Sequence, residues 1–234
     1  MRGFWSATLT GLALILFMGT GVLAAPSQIE LSGVNRDSTE TAFPGGFELV
    51  SQVSILVPSG LVLSNAGFEM AYDDASAGVP AFLLGVAIPL LSWNRLLVYG
   101  QLQAGYSFKQ GLYSIRARDG SSTEPRQEVL KLHRVPLISS IKMMYALKGL
   151  SFVKPTLTLG AGAQWLHHSG ESGGLDGAYW VPYFFVAPAL TFFERSAGQD
   201  WFAGFTFGVS YQNSLSLTKK FTGWSFDLSA NLIL

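Results

Sequence analysis

Apolar and polar residues alternate along most of this chain, and the clearest example is its last segment. Between Trp224 and Leu234 one parity is almost wholly apolar, whereas the other carries small or polar residues such as Ser225, Asp227 and Asn231. Successive side chains of a β-strand point to opposite faces of the sheet, so a period of two predicts a strand with one apolar and one polar face. Because this pattern recurs upstream, we predict an all-β chain.

The alternation marks a series of predicted strands. The segment before the last has aromatic residues at both ends of its apolar face. The further segments are at 201–212, 179–192, 153–165, 135–147, 96–108, 82–90, 62–72 and 47–57, with a shorter one at 28–34. The apolar rows of six or seven side chains are longer than those of an ordinary globular strand.

Two features predict that the apolar faces point towards a lipid bilayer. Hydrophobic residues make up 49% of the chain, and yet no segment after Leu23 is long and apolar enough for a membrane-spanning helix. The polar faces carry mostly Gly, Ser, Thr, Gln and Asn, whereas a soluble sandwich exposes charged residues. Because backbone amides in a bilayer must all be paired, we predict a closed antiparallel up-and-down transmembrane β-barrel.

The number of strands follows from the same segments. Eight of them begin after about residue 61, and the segment 47–57 is a ninth. Single-chain bacterial barrels have an even number of strands, so we predict ten, with residues 28–34 as the tenth. A barrel of eight strands with an N-terminal extension is the alternative.

The connections between these segments alternate in length. The predicted short turns are at 58–60, 92–94, 148–149 and 195–200, and the predicted longer, polar loops are at 73–78, 110–128, 167–177 and 213–220. Membrane barrels of bacteria have short turns on the periplasmic side and longer loops outside. We therefore predict that the longer set faces outward and that Gln110 to Glu128 is its largest loop.

The N-terminus has the pattern of a secretory signal peptide. Arg2 precedes an apolar stretch from Leu12 to Leu23, which is followed by the small residues Ala24 and Ala25. We expect export and cleavage after Ala25, so that residues 1–25 are the signal peptide and residues 26–234 form one barrel domain. The absence of cysteine is consistent with an oxidising compartment.

The charge balance argues against nucleic acid as a partner, because the chain carries 15 basic and 15 acidic residues. No cysteine pair or phosphate-binding glycine loop is present, and His167 and His168, with Glu171 nearby, diverge on a strand. We therefore expect neither a cofactor nor a metal.

The chain resembles the small outer-membrane β-barrel proteins of Gram-negative bacteria over nearly all of its predicted mature part. The resemblance is carried by VPLI at 135–138, KMMY at 142–145, Lys154-Pro155, GAGA at 160–163 and the terminal apolar row, which here ends in leucine rather than an aromatic residue. It implies a cell outer-membrane location, contact with outer-membrane lipids, and recognition of the last strand by the barrel-assembly machinery.

Several charged residues have the parity of the polar face and are predicted to meet inside the barrel. They are the cations Lys109, Arg134, Lys142 and Lys154 and the carboxylates Glu48, Glu69 and Asp227. The lumen of a barrel of eight to ten strands is about filled by side chains, and buried charges must be paired. We expect a structural polar network, with a narrow pore as the less favoured interpretation.

Two enzymatic alternatives involve the histidines. His167 and Ser169 are similar to the His-x-Ser pair of outer-membrane lipid A deacylases, and that resemblance implies a base and a hydroxyl nucleophile on the lipid-facing wall. His168 and Asp73 distantly resemble the rim residues of the omptin proteases, although no Asp-x-His is present. The favoured function is non-enzymatic: an envelope component whose surface loops interact with an unknown ligand, with a lipid A enzyme or a small porin-like channel as alternatives.

The signal peptide gives a direct test. We expect mass spectrometry of the membrane-inserted protein to find Pro26 as its first residue, because the small pair Ala24-Ala25 suits signal peptidase. An N-terminal peptide that begins at Met1 would contradict cleavage.

Overall fold

The computed structural model describes residues 46–64, 68–72, 78–117, 126–148, 150, 152–170, 176–195, 202–215 and 219–234. Its strands are β1 (Glu48–Ser64), β2 (Phe68–Tyr72), β3 (Val79–Trp93), β4 (Leu96–Ala117), β5 (Arg126–Tyr145), β6 (Val153–Gly170), β7 (Gly177–Arg195), β8 (Phe202–Ser214) and β9 (Lys219–Ile233). Within these residues no helix is long and apolar enough to cross a membrane.

The strands form one antiparallel sheet that closes on itself. From β3 to β9 each strand pairs with the next, and β9 pairs with β1 from Glu48–Ile233 to Leu63–Lys219. β2 and β3 both lie between β1 and β4, so they are two parts of one interrupted strand. The described residues therefore form a closed barrel of eight strands, and the predicted all-β closed antiparallel fold is confirmed.

The favoured number of ten strands was wrong, and the alternative of eight is correct. Pro58-Ser59-Gly60 was expected to be a turn but lies inside β1, where the register against β9 shifts between Pro58 and Gly60. Proline has no backbone N–H to donate to the neighbouring strand, and a β-bulge accommodates Pro58 and Gly60 as well as a turn does. The predicted strand 62–72 is consequently divided between β1 and β2. The predicted strand 28–34 lies outside the described residues.

The inward and outward sides agree with the alternation. Glu48, Val50 and Leu56 are buried on the inner side of β1, whereas Val53 and Ile55 are about half exposed on its outer side. The outer wall carries many exposed large apolar side chains: Phe82, Leu84, Leu90, Trp93, Leu102, Ile141, Trp180, Phe205, Phe207, Trp224, Phe226 and Leu228. The wall is thus apolar where a soluble protein would be polar.

The predicted loop from Gln110 to Glu128 is largely strand. β4 and β5 remain paired from Lys109–Leu132 to Ile115–Arg126, and residues 118–125 lie outside the described set. The alternation inverts here: Tyr113 and Ile115 are buried inside the barrel, while Gln110 and Arg116 are exposed outside it. A polar outer side with apolar residues inside is the pattern of a sheet whose outer side faces water. The many charges of this segment are typical of a loop, which is why the strand was not predicted.

Opposite faces of one strand give a test of the wall. Leu228 is exposed on the outer side of β9, whereas Ser229 is buried and lines an internal cavity. Placing Arg against hydrocarbon at mid-membrane costs about 2–4 kcal/mol. We expect Leu228→Arg to reduce the folded, heat-modifiable form in membranes far more than Ser229→Arg does. Equal yields of the two variants would argue against a lipid-facing outer wall.

Candidate functional site

Two layers of apolar side chains close the inside of the described barrel. The loop-end layer lies towards the end where β4 meets β5, and the terminus-end layer lies near Leu234. The loop-end layer consists of Leu56, Val79, Tyr113, Ile115, Leu130, Leu132, Leu166, Val181 and Phe221. The terminus-end layer consists of Ala87, Leu97, Tyr99, Met144, Phe193 and Ile233. Polar side chains fill the space between them around an internal cavity of about 80 Å³.

A buried ion pair lies beside the terminus-end layer. The ammonium of Lys142 on β5 donates to a carboxylate oxygen of Glu48 on β1 at 2.6 Å, and the two side chains are 4% and 0% exposed. Lys142 also lies 6.0 Å from the centre of the Tyr99 ring. Because a buried charge is costly without a partner, the pair ties two strands together that are not neighbours in the sheet.

Arg134 organises the opposite end of the polar region. Its Nε donates to the Gln164 side-chain oxygen at 2.6 Å, and its Nη2 donates to that of Gln212 at 3.0 Å. The guanidinium lies 4.8 Å from the centre of the Phe221 ring, and Gln212 donates in turn to the Phe221 carbonyl. Arg134 thereby joins β5, β6, β8 and β9 beneath the loop-end layer.

Neutral hydrogen bonds extend the network, although Glu48 Oε2, Ser140 Oγ and Asp227 Oδ1 are buried without a hydrogen-bond partner among the described residues. The hydroxyls of Thr156, Thr191 and Thr206 form a chain across β6, β7 and β8, and the amide of Asn231 donates to Thr206. On the other side of the cavity, Gln103 donates to Gln52 at 2.9 Å. Satisfied polar groups of this kind make a lumen rigid rather than open.

The other predicted lumen residues take different positions. Lys109 points inward and donates to the Gly78 carbonyl at 3.0 Å, and Lys154 is buried 5.7 Å from the centre of the Phe193 ring. Asp227 lines the cavity together with Arg134, and its negative charge acts on the Arg134 guanidinium. Glu69 is not part of the group. It is exposed, and its partner across the strands is the exposed Arg116.

His167 and Ser169 lie on the outward side of β6, and His168 is buried on the inward side. The His167 ring stacks on Trp165 with the ring centres 5.5 Å apart, and it lies 5.9 Å from the ring of His133. Glu171 and Asp73 lie outside the described residues. Among the described residues no group of three or more His, Cys, Asp or Glu side chains is arranged to hold a metal ion.

The two apolar layers were not predicted from the sequence, although a signal was present. Ile115 lies between Ser114 and Arg116, and Leu132 lies between Lys131 and His133, so both apolar residues have the opposite parity to the membrane-type rows. An antiparallel sheet with one side in water commonly carries its apolar residues on the other side. This inversion of parity is the sequence signal of the loop-end layer.

Several solved proteins are similar to this structure. One is Ail, the attachment invasion locus protein of Yersinia pestis, with 13% identity, a TM-score of 0.41, and coverage of 80% of this chain and 98% of that one. Neisserial surface protein A has 15% identity and a TM-score of 0.36, and the match covers 80% of this chain and 95% of that one. The outer membrane protease OmpT of Escherichia coli has 9% identity and a TM-score of 0.37, and the match covers 83% of this chain and 99% of that one. Neither a protein-family profile nor a curated protein matches the chain. Because the sequence identities and TM-scores are this low, these similarities add nothing to the closed barrel that the strand pairing shows.

The buried ion pair predicts a characteristic set of stabilities. Lys142→Met leaves the Glu48 carboxylate unpaired, and we expect it to lower the free energy of unfolding by about 3–5 kcal/mol. The double variant Glu48→Leu/Lys142→Met should cost less than either single change, because apolar side chains then replace both charges. Urea unfolding in detergent micelles measures these values.

The control for this series is Lys148→Met, because Lys148 is an exposed lysine close in sequence to Lys142. A surface change of this kind should alter stability by no more than about 0.5 kcal/mol. Costs that simply add in the double variant would show that the two charges do not stabilise each other.

Proposed function

We propose that this protein is a non-conducting β-barrel of the Gram-negative outer membrane, a non-enzymatic envelope component that presents an extended β4–β5 hairpin outside the membrane. The single observation that carries the proposal is the combination of an apolar outer wall with a lumen closed by two apolar layers. A soluble barrel would have the apolar layers inside but not the apolar outer wall, and an open porin would have the apolar outer wall but not the apolar layers.

The outer wall supports insertion into a bilayer. Its exposed apolar side chains cover several neighbouring strands, and aromatic residues such as Trp180, Trp224 and Trp93 stand towards the ends of the apolar rows. Amphipathic rings are most stable where the apolar and aqueous phases meet. A closed sheet also leaves no unpaired strand edge, which is what hydrocarbon requires. The N-terminal signal pattern supports export to this membrane.

The lumen supports a sealed barrel. Tyr113, Leu130 and Phe221 are almost fully buried at the loop end, and Tyr99, Leu97 and Met144 are equally buried at the other end. A hydrated ion that crossed the apolar side chains of either layer would lose part of its hydration shell, which is unfavourable. The cavity between the layers is small, and two of its cations have partners, Lys142 in Glu48 and Arg134 in Gln164 and Gln212.

The β4–β5 hairpin supports a role in interaction at the surface. β4 has 22 residues and β5 has 20, whereas a transmembrane β-strand needs about 9–11. The excess lies where the outer side turns polar, at Gln110, Arg116 and Lys131. The hairpin therefore extends beyond the apolar wall and offers a largely polar surface to ligands in the surrounding water.

The proposal is tested by electrical conductance. The purified, heat-modifiable protein in a planar lipid bilayer should produce no stable channel openings, because both apolar layers exclude water and ions. The double variant Tyr113→Ala/Leu132→Ser thins the loop-end layer and leaves the outer wall unchanged, so it serves as a comparison for leakage. Stable conductance of the unmodified protein would refute the sealed barrel and favour a channel.

The orientation has a separate test. Trypsin added to intact cells should cut near Arg116 or Arg126, which are exposed where the hairpin approaches residues 118–125, while the membrane strands stay protected. Mass spectrometry identifies the new ends. Cleavage that requires permeabilisation of the outer membrane would mean that the hairpin faces the periplasm.

A further inference from the structure

A patch of basic and aromatic residues lies on the outer side of β4, β5, β6 and β7, at the level where the wall changes from apolar to polar. We call it the rim patch. Pairing across the strands arranges it in three rows. The polar row is Gln110, Lys131 and Ser169, and the histidine row is Phe108, His133, His167 and Ala178. The aromatic row is Val135, Trp165 and Trp180, with Tyr106 two residues before Phe108 on β4. These rows contain no acidic residue, and one exposed acidic residue, Asp176, lies just before β7, two positions from Ala178.

The basic groups of the rim patch are close to one another. Lys131 is exposed and stands two residues from His133 on the same side of β5, and the rings of His133 and His167 are 5.9 Å apart. Ser169, the partner of Lys131 across the strands, adds a hydroxyl. An ammonium, two imidazoles and a hydroxyl that face the same surface suit an anion with several oxygens, above all a phosphate.

The aromatic residues hold the two imidazoles in place. The Tyr106 hydroxyl lies 2.7 Å from Nδ1 of His133, and the Phe108 ring lies 4.9 Å from the His133 ring. When Tyr106 donates to Nδ1, or when the imidazole is protonated, Nε2 carries a hydrogen that can be donated to an anion. His167 is stacked on Trp165 with an interplanar angle of 8°.

A shallow apolar track continues from the rim patch towards the middle of the wall. Below Trp165 the outward residues of β6 are Ala163 and Ala161. Leu137 and Pro182 flank Ala163, and Phe184 flanks Ala161, whose neighbour on β5 is the small Ser139. Small residues between larger ones leave room for one hydrocarbon chain along the strand. A phosphate site therefore stands directly above a place for an acyl chain.

We propose that the rim patch binds a phosphorylated glycolipid of the outer leaflet, with a phosphate at Lys131, His133 and His167 and an acyl chain over Ala161 and Ala163. The inference rests on the proposed function, because the rim patch lies at the hairpin end of the barrel and meets the outer leaflet only if that end faces outward. The combination of both features in one lipid-facing surface distinguishes a membrane glycolipid from free phosphate.

The other side of the same rim provides a contrast. On β8 and β9 the aromatic pair Tyr211 and Trp224 has its ring centres 4.9 Å apart, and it stands on the outer wall beside Val209 and Thr222. Aromatic residues alone are what any membrane interface favours. The rim patch adds the imidazoles of His133 and His167, whereas β8 and β9 carry no histidine.

The test is native mass spectrometry of the full protein in detergent micelles with four probes: bisphosphorylated lipid A, dephosphorylated lipid A, phosphatidylglycerol and inorganic phosphate. We expect bisphosphorylated lipid A to bind most tightly. The triple variant Lys131→Met/His133→Phe/His167→Phe keeps the ring packing and removes the donors, and it should weaken that binding about tenfold or more. Lys148→Met, away from the rim patch, is the matched control and should leave binding unchanged.

Ala161→Phe fills the apolar track and should weaken lipid A binding severalfold without changing the donors. Unchanged binding of lipid A to the triple variant would overturn the phosphate site, and unchanged binding to Ala161→Phe would overturn the acyl track. Equal binding of phosphatidylglycerol would overturn the choice of a glycolipid. Each variant is first checked for its heat-modifiable form and for the absence of conductance, so a failure of the proposed sealed barrel is detected separately.

Discussion

The pairing of β1 with β9 is the constraint on which the rest of the structure depends. It runs from Glu48–Ile233 to Leu63–Lys219 and converts an open sheet into a barrel. An open edge in hydrocarbon would leave backbone amides unpaired at a cost of several kcal/mol each. Closure permits the apolar outer wall, and it also creates the enclosed lumen in which polar side chains must satisfy one another. The bulge between Pro58 and Gly60 lets β1 pass through a proline without ending this seam.

The polarity of the two sides changes along the length of the barrel. In the middle, Leu228 and Phe226 face outward while Ser229 and Asn231 are buried inside. At the loop end the polarity is exchanged, with Tyr113 and Ile115 inside. The surroundings of the outer side and the packing of the lumen therefore decide which residue type suits each position. The level at which the apolar residues change from the outer to the inner side marks the edge of the apolar wall. The rim patch lies at this edge, where a lysine and two histidines stand directly above aromatic and apolar side chains.

The interior combines two ways of closing a narrow tube. The apolar layers exclude water by packing, whereas Lys142–Glu48 and Arg134 with its glutamine partners hold strands together across the lumen. Buried charges add little net stability compared with apolar packing, but a charge without its partner is strongly unfavourable. The network therefore discourages any rearrangement that separates the strands.

The alternation of the sequence by itself determined the strand type, the inward and outward sides, and the closed barrel, because side-chain direction in a strand follows parity and because a bilayer accepts no open sheet. It also placed Arg134 and Lys142 on the inner side. Tertiary structure alone decided that there are eight strands, since Pro58 and Gly60 fit a bulge as well as a turn, and that Glu69 lies outside. It likewise decided the partners: Glu48 is 94 residues from Lys142 in the chain, and His133 meets His167 through strand register. Parity gives a direction for each side chain, but distance across a lumen or between strands depends on how the whole sheet closes.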